Sequence, residues 1–459
     1  MSKQFVNRDR EVDWLKSQCE ENGLPVLYGR RRVGKTALIE KVISNRKSIY
    51  FLADQRPEKK NIEGLQEEMA NHVDEDLFRQ ANFDDWVELF REFVNRIDSE
   101  IVIAIDEFPY LIEQNSSVPS IFQKIWDQIL KSEDVSLILC GSSVRMMENH
   151  VLEYESPLYG RRTGQWKLEP LSFKDFSKFY QESDFEEKLK FYTLLDGIPA
   201  YILKTDAEKS FKWNLENKVF AKGSFLSEEA EFLLKQEVRK PANYFTILQA
   251  IAEGNTRYGE IVNSTGLNKS TATKYLSNLQ ELHIVQNEYP VTQNKEGRNA
   301  LYKLSDNYYT FWFNTVYPNK GMIEQGKTKK LLEKTEERIR HLTAESFEKV
   351  CRQFVANNFD VGKVGRWWQN QHEIDVVGIE EQESKLILGE VKWRNQKTGM
   401  KLLKQLENEA ELVKWGGKNR DIDYVLFSKS GFTNQLEQKA GERSDITLYT
   451  PDKILKEWN

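Results

Sequence analysis

The chain has 459 residues, which at roughly 150 residues per domain excludes one small module and predicts about three domains. Lys and Arg number 66 against 72 Asp and Glu, a net charge of −6 in a chain that is 30% charged and 39% hydrophobic; a protein coated in positive charge for nucleic acid is excluded, a local basic face is not. Three widely spaced cysteines, Cys19, Cys140 and Cys351, exclude a zinc ribbon or a disulfide framework and read as packing residues in a reducing compartment. The amino terminus is charged and no apolar run reaches about 18 residues, so the expectation is a soluble, cytoplasmic protein without a membrane partner.

From Pro25 to about Thr163, short apolar runs (VLY, SIYFLA, IVIAID, SLILCG) alternate with longer amphipathic stretches, the pattern of βαβ units and a parallel sheet. Residues 1–165 are therefore expected to form an α/β core on a parallel sheet, and 166–240, rich in Phe, Lys and Glu at helical spacing, a helical appendage. Within 241–305, YFTILQAIAEG, Tyr258 to Thr265 ended by Gly266, and Lys269 to Leu282 predict three helices. The following IVQNEYP strand and TQNKEGRN tip complete a winged helix-turn-helix. Residues 306–335 read as an aromatic, then basic connector, and 336–459 return to mixed helices and strands.

The first chemical signal is Gly29-Arg30-Arg31-Arg32-Val33-Gly34-Lys35-Thr36, which fits G-x-x-x-x-G-K-[ST] between a predicted strand and a predicted helix. Glycines let backbone N–H groups wrap a triphosphate, Lys35 reaches the β and γ phosphates of ATP, and Thr36 holds Mg²⁺. The strand IVIAID delivers Asp106 toward that magnesium and Glu107 toward a water, as general base. Ser142 and Ser143, ending SLILCGSS, are placed to sense the γ-phosphate or to cap a helix. Arg161 and Arg162 stabilise phosphoryl-transfer charge or serve as surface salt-bridge partners.

These residues resemble the archaeal-type ATPases of the STAND branch of P-loop NTPases, AAA-like in build, over nearly the whole chain. Phe5-Val6-Asn7-Arg8-Asp9-Arg10-Glu11 resembles the family's F-x-x-R-x-x-E opening, which implies that Arg8 lies near the adenine. The P-loop, IDEFPYL and GSS follow in order, and Leu195-Asp196-Gly197-Ile198-Pro199-Ala200-Tyr201 resembles the G-x-P-x-Y-L signature. The implied architecture is multidomain α/β: a P-loop NTPase parallel sheet with a helical appendage, a winged helix, and a restriction-endonuclease-like α/β domain with a PD-(D/E)xK type site.

The stretch HEIDVVGIEEQESKLILGEVKWRN reads as two apolar strands, Ile374 to Glu380 and Lys385 to Trp393. If Glu380 pairs with Lys385, Asp375 lies opposite Glu390 and Lys392 shares their face. Facing carboxylates repel unless a cation sits between them or Lys392 neutralises both. Asp375 and Glu390 thus become candidate Mg²⁺ ligands, with Lys392 orienting the attacking water; a structural salt bridge in a domain that no longer cuts is the alternative. The nuclease resemblance adds Glu348 as a first-helix acid, with Glu345 as its helical neighbour, and Gln405 on the next helix. From Val391 to Gln405 there are five basic residues and no acid, which suits a phosphate backbone. Trp367, Trp368 and Trp393 are either base-stacking or core residues. The winged helix, with six Lys or Arg and five Glu over 241–304, would place Lys269, Lys274, Lys295 and Arg298 toward DNA or act only as a packing module. An ATP-driven switch coupled to a DNA-contacting, nuclease-like domain is the expectation; a non-cleaving scaffold that docks DNA or protein is its rival.

Overall fold

The computed structural model describes residues 7–238, 240–293, 300–382, 384–417 and 420–458. Phe5 and Val6 of the opening motif and Lys295 and Arg298 of the wing lie outside the described residues. The chain divides into two compact units, one running to Pro170 and including Ile198–Ala200, the other holding Leu171–Gly197 and the chain from Tyr201 onward.

The first unit is built on five parallel strands, β1 (Pro25–Tyr28), β2 (Ser48–Leu52), β3 (Ile101–Asp106), β4 (Val135–Gly141) and β5 (Gly164–Lys167), in the order β2-β3-β4-β1-β5. Every residue of β1, β3 and β4 is buried, as a parallel sheet covered on both faces requires. Alternate residues feed opposite layers: Ile101, Ile103 and Ile105 join one core with Trp86, Phe90 and Phe122, while Val102 and Ala104 join the other with Leu15, Leu38 and Cys140. Asp106 stands at the carboxy-terminal end of β3, at the loop edge of the sheet.

In the second unit an aromatic cluster packs the helical segment, with Tyr180 stacked on Phe191 at 4.2 Å and Phe173 edge-on to Tyr192. The winged helix follows as Pro241–Ala252, Tyr258–Thr265 and Lys269–Glu281, then β6 (Val285–Glu288) antiparallel to β7 (Leu301–Leu304). Gly266 ends its second helix in the left-handed conformation, at φ 66°. Residues 307–324 are largely helical rather than a plain connector, and one 31-residue helix, Thr328–Asn358, runs without a break through position 335/336.

Beyond that helix lies a mixed sheet, β12-β11-β10-β9-β8, in which β8 (Lys363–Gln369), β9 (His372–Glu380) and β10 (Lys385–Lys392) are antiparallel neighbours. β11 (Asp421–Ser428) and β12 (Ile446–Tyr449) add in parallel. Glu380 opposes Lys385 and Val376 opposes Gly389, the register expected from the turn. Cys19, Cys140 and Cys351 are buried free thiols, and no described helix is long and apolar enough to cross a membrane.

Candidate functional site

The loop between β1 and the helix Lys35–Ile43 is shaped by glycine. At Gly29, with φ 153°, a Cβ would meet the Leu168 carbonyl oxygen at 2.4 Å, and Gly34 caps the helix at φ 99°. Arg32 adopts a positive φ of 74° between them. The buried Lys35 folds its Nζ onto the carbonyl oxygens of Gly29 (2.9 Å) and Arg30 (3.0 Å), weak acceptors that an anion would replace.

Across the loop, the Thr36 hydroxyl donates to Asp106 Oδ2 at 2.7 Å, so the two expected magnesium ligands already converge. Their hard oxygens suit Mg²⁺, which prefers such donors. Tyr50 on β2 also donates to Asp106 Oδ2, at 2.8 Å, and burial, followed by the charge of Asp106, raises its phenol. Sequence reasoning missed Tyr50, since SIYFLA reads as an ordinary apolar strand. Glu107 sits in the left-handed region at φ 56°, with its backbone N–H on Asp106 Oδ1. Its carboxylate accepts from the Ser142 hydroxyl at 2.7 Å and from the Ser142 N–H at 3.2 Å. β4 lies between β1 and β3, which brings Ser142 to Glu107, and Ser143 begins the short helix Val144–Met147 without a side-chain cap bond.

Arg8 is buried, paired with Glu11 at 2.8 Å and donating to the carbonyl oxygens of Glu169 and, beside the P-loop, Val33. Arg31 donates to the Tyr110 hydroxyl. Arg161 pairs with Asp127 at 3.0 Å; Arg162 donates to the carbonyls of Val151 and Leu152 and lies over the Tyr159 ring. Val33 belongs to the P-loop, so Arg8 holds the loop itself, whereas the printed partners of Arg161 and Arg162 lie outside it.

In the second unit, β9 and β10 bring Asp375, Glu390 and Lys392 together. Asp375 Oδ2 accepts from the Val391 N–H at 3.0 Å, and Lys392 Nζ lies 2.6 Å from Glu390 and 3.6 Å from Asp375. Burial, then the neighbouring Asp375, pushes the Glu390 carboxyl up to about 7 despite Lys392. Glu348 is likewise raised by burial and by Asp375, and lies 3.8 Å from Arg352, whose guanidinium donates to the Asp375 carbonyl. Among the described residues no group of three or more His, Cys, Asp or Glu is arranged to hold a metal ion; the Lys392 ammonium occupies the space a cation would take. Gln405 donates to Glu409, a buried acid on the helix Met400–Ala410 that also raises Glu390 and whose Oε2 has no partner. Sequence reasoning stopped at Gln405; the same-face spacing of four residues was the signal for Glu409. Trp367 and Trp368 are core residues, 3% and 7% exposed, and Trp393 packs on Phe347.

A parallel sheet with this loop and these acids at its strand ends is a P-loop NTPase unit, and the fold implies nucleotide binding. Residues 5–205 match an ATPase domain predominantly from Archaea, 242–288 the IclR helix-turn-helix domain, and 312–407 a family of archaeal and bacterial proteins of unknown function. The chain is 36% identical to an uncharacterized protein of Methanocaldococcus jannaschii, over 97% of this chain and 98% of that one. It belongs to the archaeal-type ATPase family. A shorter similarity, 53% over 45 residues, joins 9% of this chain to 76% of an uncharacterized ATP-binding protein of the same organism. Among solved structures, a Walker-type ATPase of Pyrococcus abyssi shares the fold, with 21% identity and a TM-score of 0.54, over 68% of this chain and 97% of that one.

Proposed function

We propose that the protein is an ATP-binding, Mg²⁺-dependent ATPase that works as a nucleotide-driven switch coupled to a DNA-contacting, nuclease-like carboxy-terminal domain. The observation that carries it is the convergence of Thr36 and Asp106 at 2.7 Å beside a glycine-shaped loop, with Glu107 held by Ser142 on the adjoining strand. Backbone N–H groups of residues 30–36 and Lys35 bind the phosphates, and Arg8 steadies the loop edge through Val33. Thr36 and Asp106 would hold Mg²⁺, which would supply positive charge to offset the charge developing on the phosphoryl group. Glu107 takes the proton of the attacking water, and Ser142 keeps its carboxylate aimed. The test is phosphate release by the full chain, with Glu107→Gln as control.

Lys269 and Lys274 on the third winged-helix segment, with the basic run beside Glu390, supply the DNA contacts of the proposal. A second reading, in which the carboxy-terminal domain docks DNA or a partner protein without cutting, is favoured by Lys392 sitting between Asp375 and Glu390. Mg²⁺-dependent cleavage of single- and double-stranded DNA that disappears in Asp375→Ala supports a nuclease; equal background in both proteins supports the docking module.

A further inference from the structure

The segment Asp196–Ala200 crosses from one compact unit to the other, and each end is fixed within its own unit. On the nucleotide side, the Ala200 N–H donates to the Arg32 carbonyl oxygen of the P-loop at 3.4 Å, and Pro199 stands 3.8 Å from where a Gly34 Cβ would be. On the other side, Asp196 ends the helix Phe185–Leu195 at a positive φ of 51°, with only 2% exposure. Its carboxylate accepts from Lys349 Nζ at 2.8 and 3.1 Å, from the Asn307 N–H at 2.9 Å and from the Gly197 N–H at 2.9 Å. Burial alone would raise this carboxyl, yet Lys349 holds it below its ordinary range.

Little of this segment can give. At Gly197 a Cβ would lie 1.8 Å from the Leu171 carbonyl oxygen, and its own carbonyl accepts from the Leu171 N–H at 2.7 Å. The segment thus joins, along the chain, a P-loop contact made within one unit to a fixed carboxylate within the other. Lys349 lies on the long helix Thr328–Asn358, next to Glu348 and one turn before Arg352, which holds the Asp375 carbonyl. Lys35 has to leave the Gly29 and Arg30 carbonyls when phosphate binds, two residues from Arg32, so the loop moves where Ala200 grips it.

We propose that the Asp196–Lys349 ion pair is a latch that passes nucleotide state at the P-loop to the long helix and through it to the carboxy-terminal acids. The latch rests on the ATP-switch proposal above. A single substitution would leave a buried charge without its partner, so the cleaner variant is Asp196→Asn with Lys349→Met; Pro199→Gly, which frees the segment while keeping the ion pair, is the second. The readout is amide hydrogen exchange over residues 343–355 in the full chain, with and without a non-hydrolysable ATP analogue and Mg²⁺, beside the analogue's affinity. In the wild type, exchange is expected to change by about tenfold on nucleotide binding, equivalent to a shift in local opening. Both variants are expected to bind the analogue equally well and to show less than about a twofold change. A folded variant that keeps the full response, or a wild type that binds nucleotide without responding, overturns the latch. A wild type that binds no nucleotide overturns the ATP-switch proposal and the latch with it.

Discussion

Two clusters of carboxylates, one at the end of β3 and one on β9 and β10, solve the same electrostatic problem differently. Asp106 is met by hydroxyls from Thr36 and Tyr50 and by a backbone N–H, and Glu107 by Ser142. These donors to the carboxylate oxygens are hydroxyls and backbone N–H groups, none of them a cation. Asp375 and Glu390 instead face one another under a lysine, in a buried setting where charge repulsion is relieved partly by Lys392 and partly by protonation of Glu390. Neutral donors meet the acids of the first arrangement; a lysine meets those of the second.

The strongest break in that comparison comes from Lys35. Lys35→Ala removes a charge-assisted hydrogen bond to phosphate and is expected to weaken ATP binding by about 100-fold or more, read by calorimetric titration. Unaltered affinity would sink the P-loop assignment.

The carboxy-terminal cluster predicts a pH effect of opposite character to that of an ordinary paired acid. With the Glu390 carboxyl raised from 4.5 to about 7, the folded chain holds a proton that the unfolded chain releases. Its contribution is fully present below about pH 4.5 and is lost as pH rises toward 7, a decline of up to about 3 kcal/mol. Urea unfolding of the carboxy-terminal region across that window should flatten in Glu390→Gln. Should Mg²⁺ above pH 7 restore the lost stability in the wild type alone, the second cluster is a metal site after all, and the contrast with the first narrows.

The smallest effect is expected at Arg161, whose charge is already met by Asp127 at a half-exposed position. Arg161→Ala should cost under about 1 kcal/mol and change phosphate release less than about threefold. A loss as large as that from Glu107→Gln would return to this arginine the transition-state role that the sequence offered it.

The legible parts of the molecule were those set by short-range rules. The P-loop spacing, the buried strand ending in Asp106 and Glu107, and the period-two register that places Asp375 opposite Glu390 all follow from local pattern. Tyr50 and Lys349 were not legible, because each acts through a partner 56 or 153 residues away, within stretches that look like plain strand or helix; Glu409 was legible only through Gln405, four residues before it on the same helix. The helical content of the connector was hidden for a related reason. Its run of lysines resembles a solvated linker, but Leu331, Thr335, Ile339 and Leu342 keep helical spacing into the buried face of the long helix. For Arg161 and Arg162 the sequence left two roles open, phosphoryl-transfer charge or a surface salt bridge; Arg161 pairs with Asp127, and Arg162 donates to the carbonyls of Val151 and Leu152.

The most direct test measures ATP affinity and Mg²⁺-dependent phosphate release together, in the wild type and in Glu107→Gln. The account predicts that both proteins bind ATP alike while the variant releases phosphate about 10² to 10⁴ times more slowly. Equal release from both proteins, or none from the wild type at saturating ATP, would contradict an ATPase whose general base is Glu107.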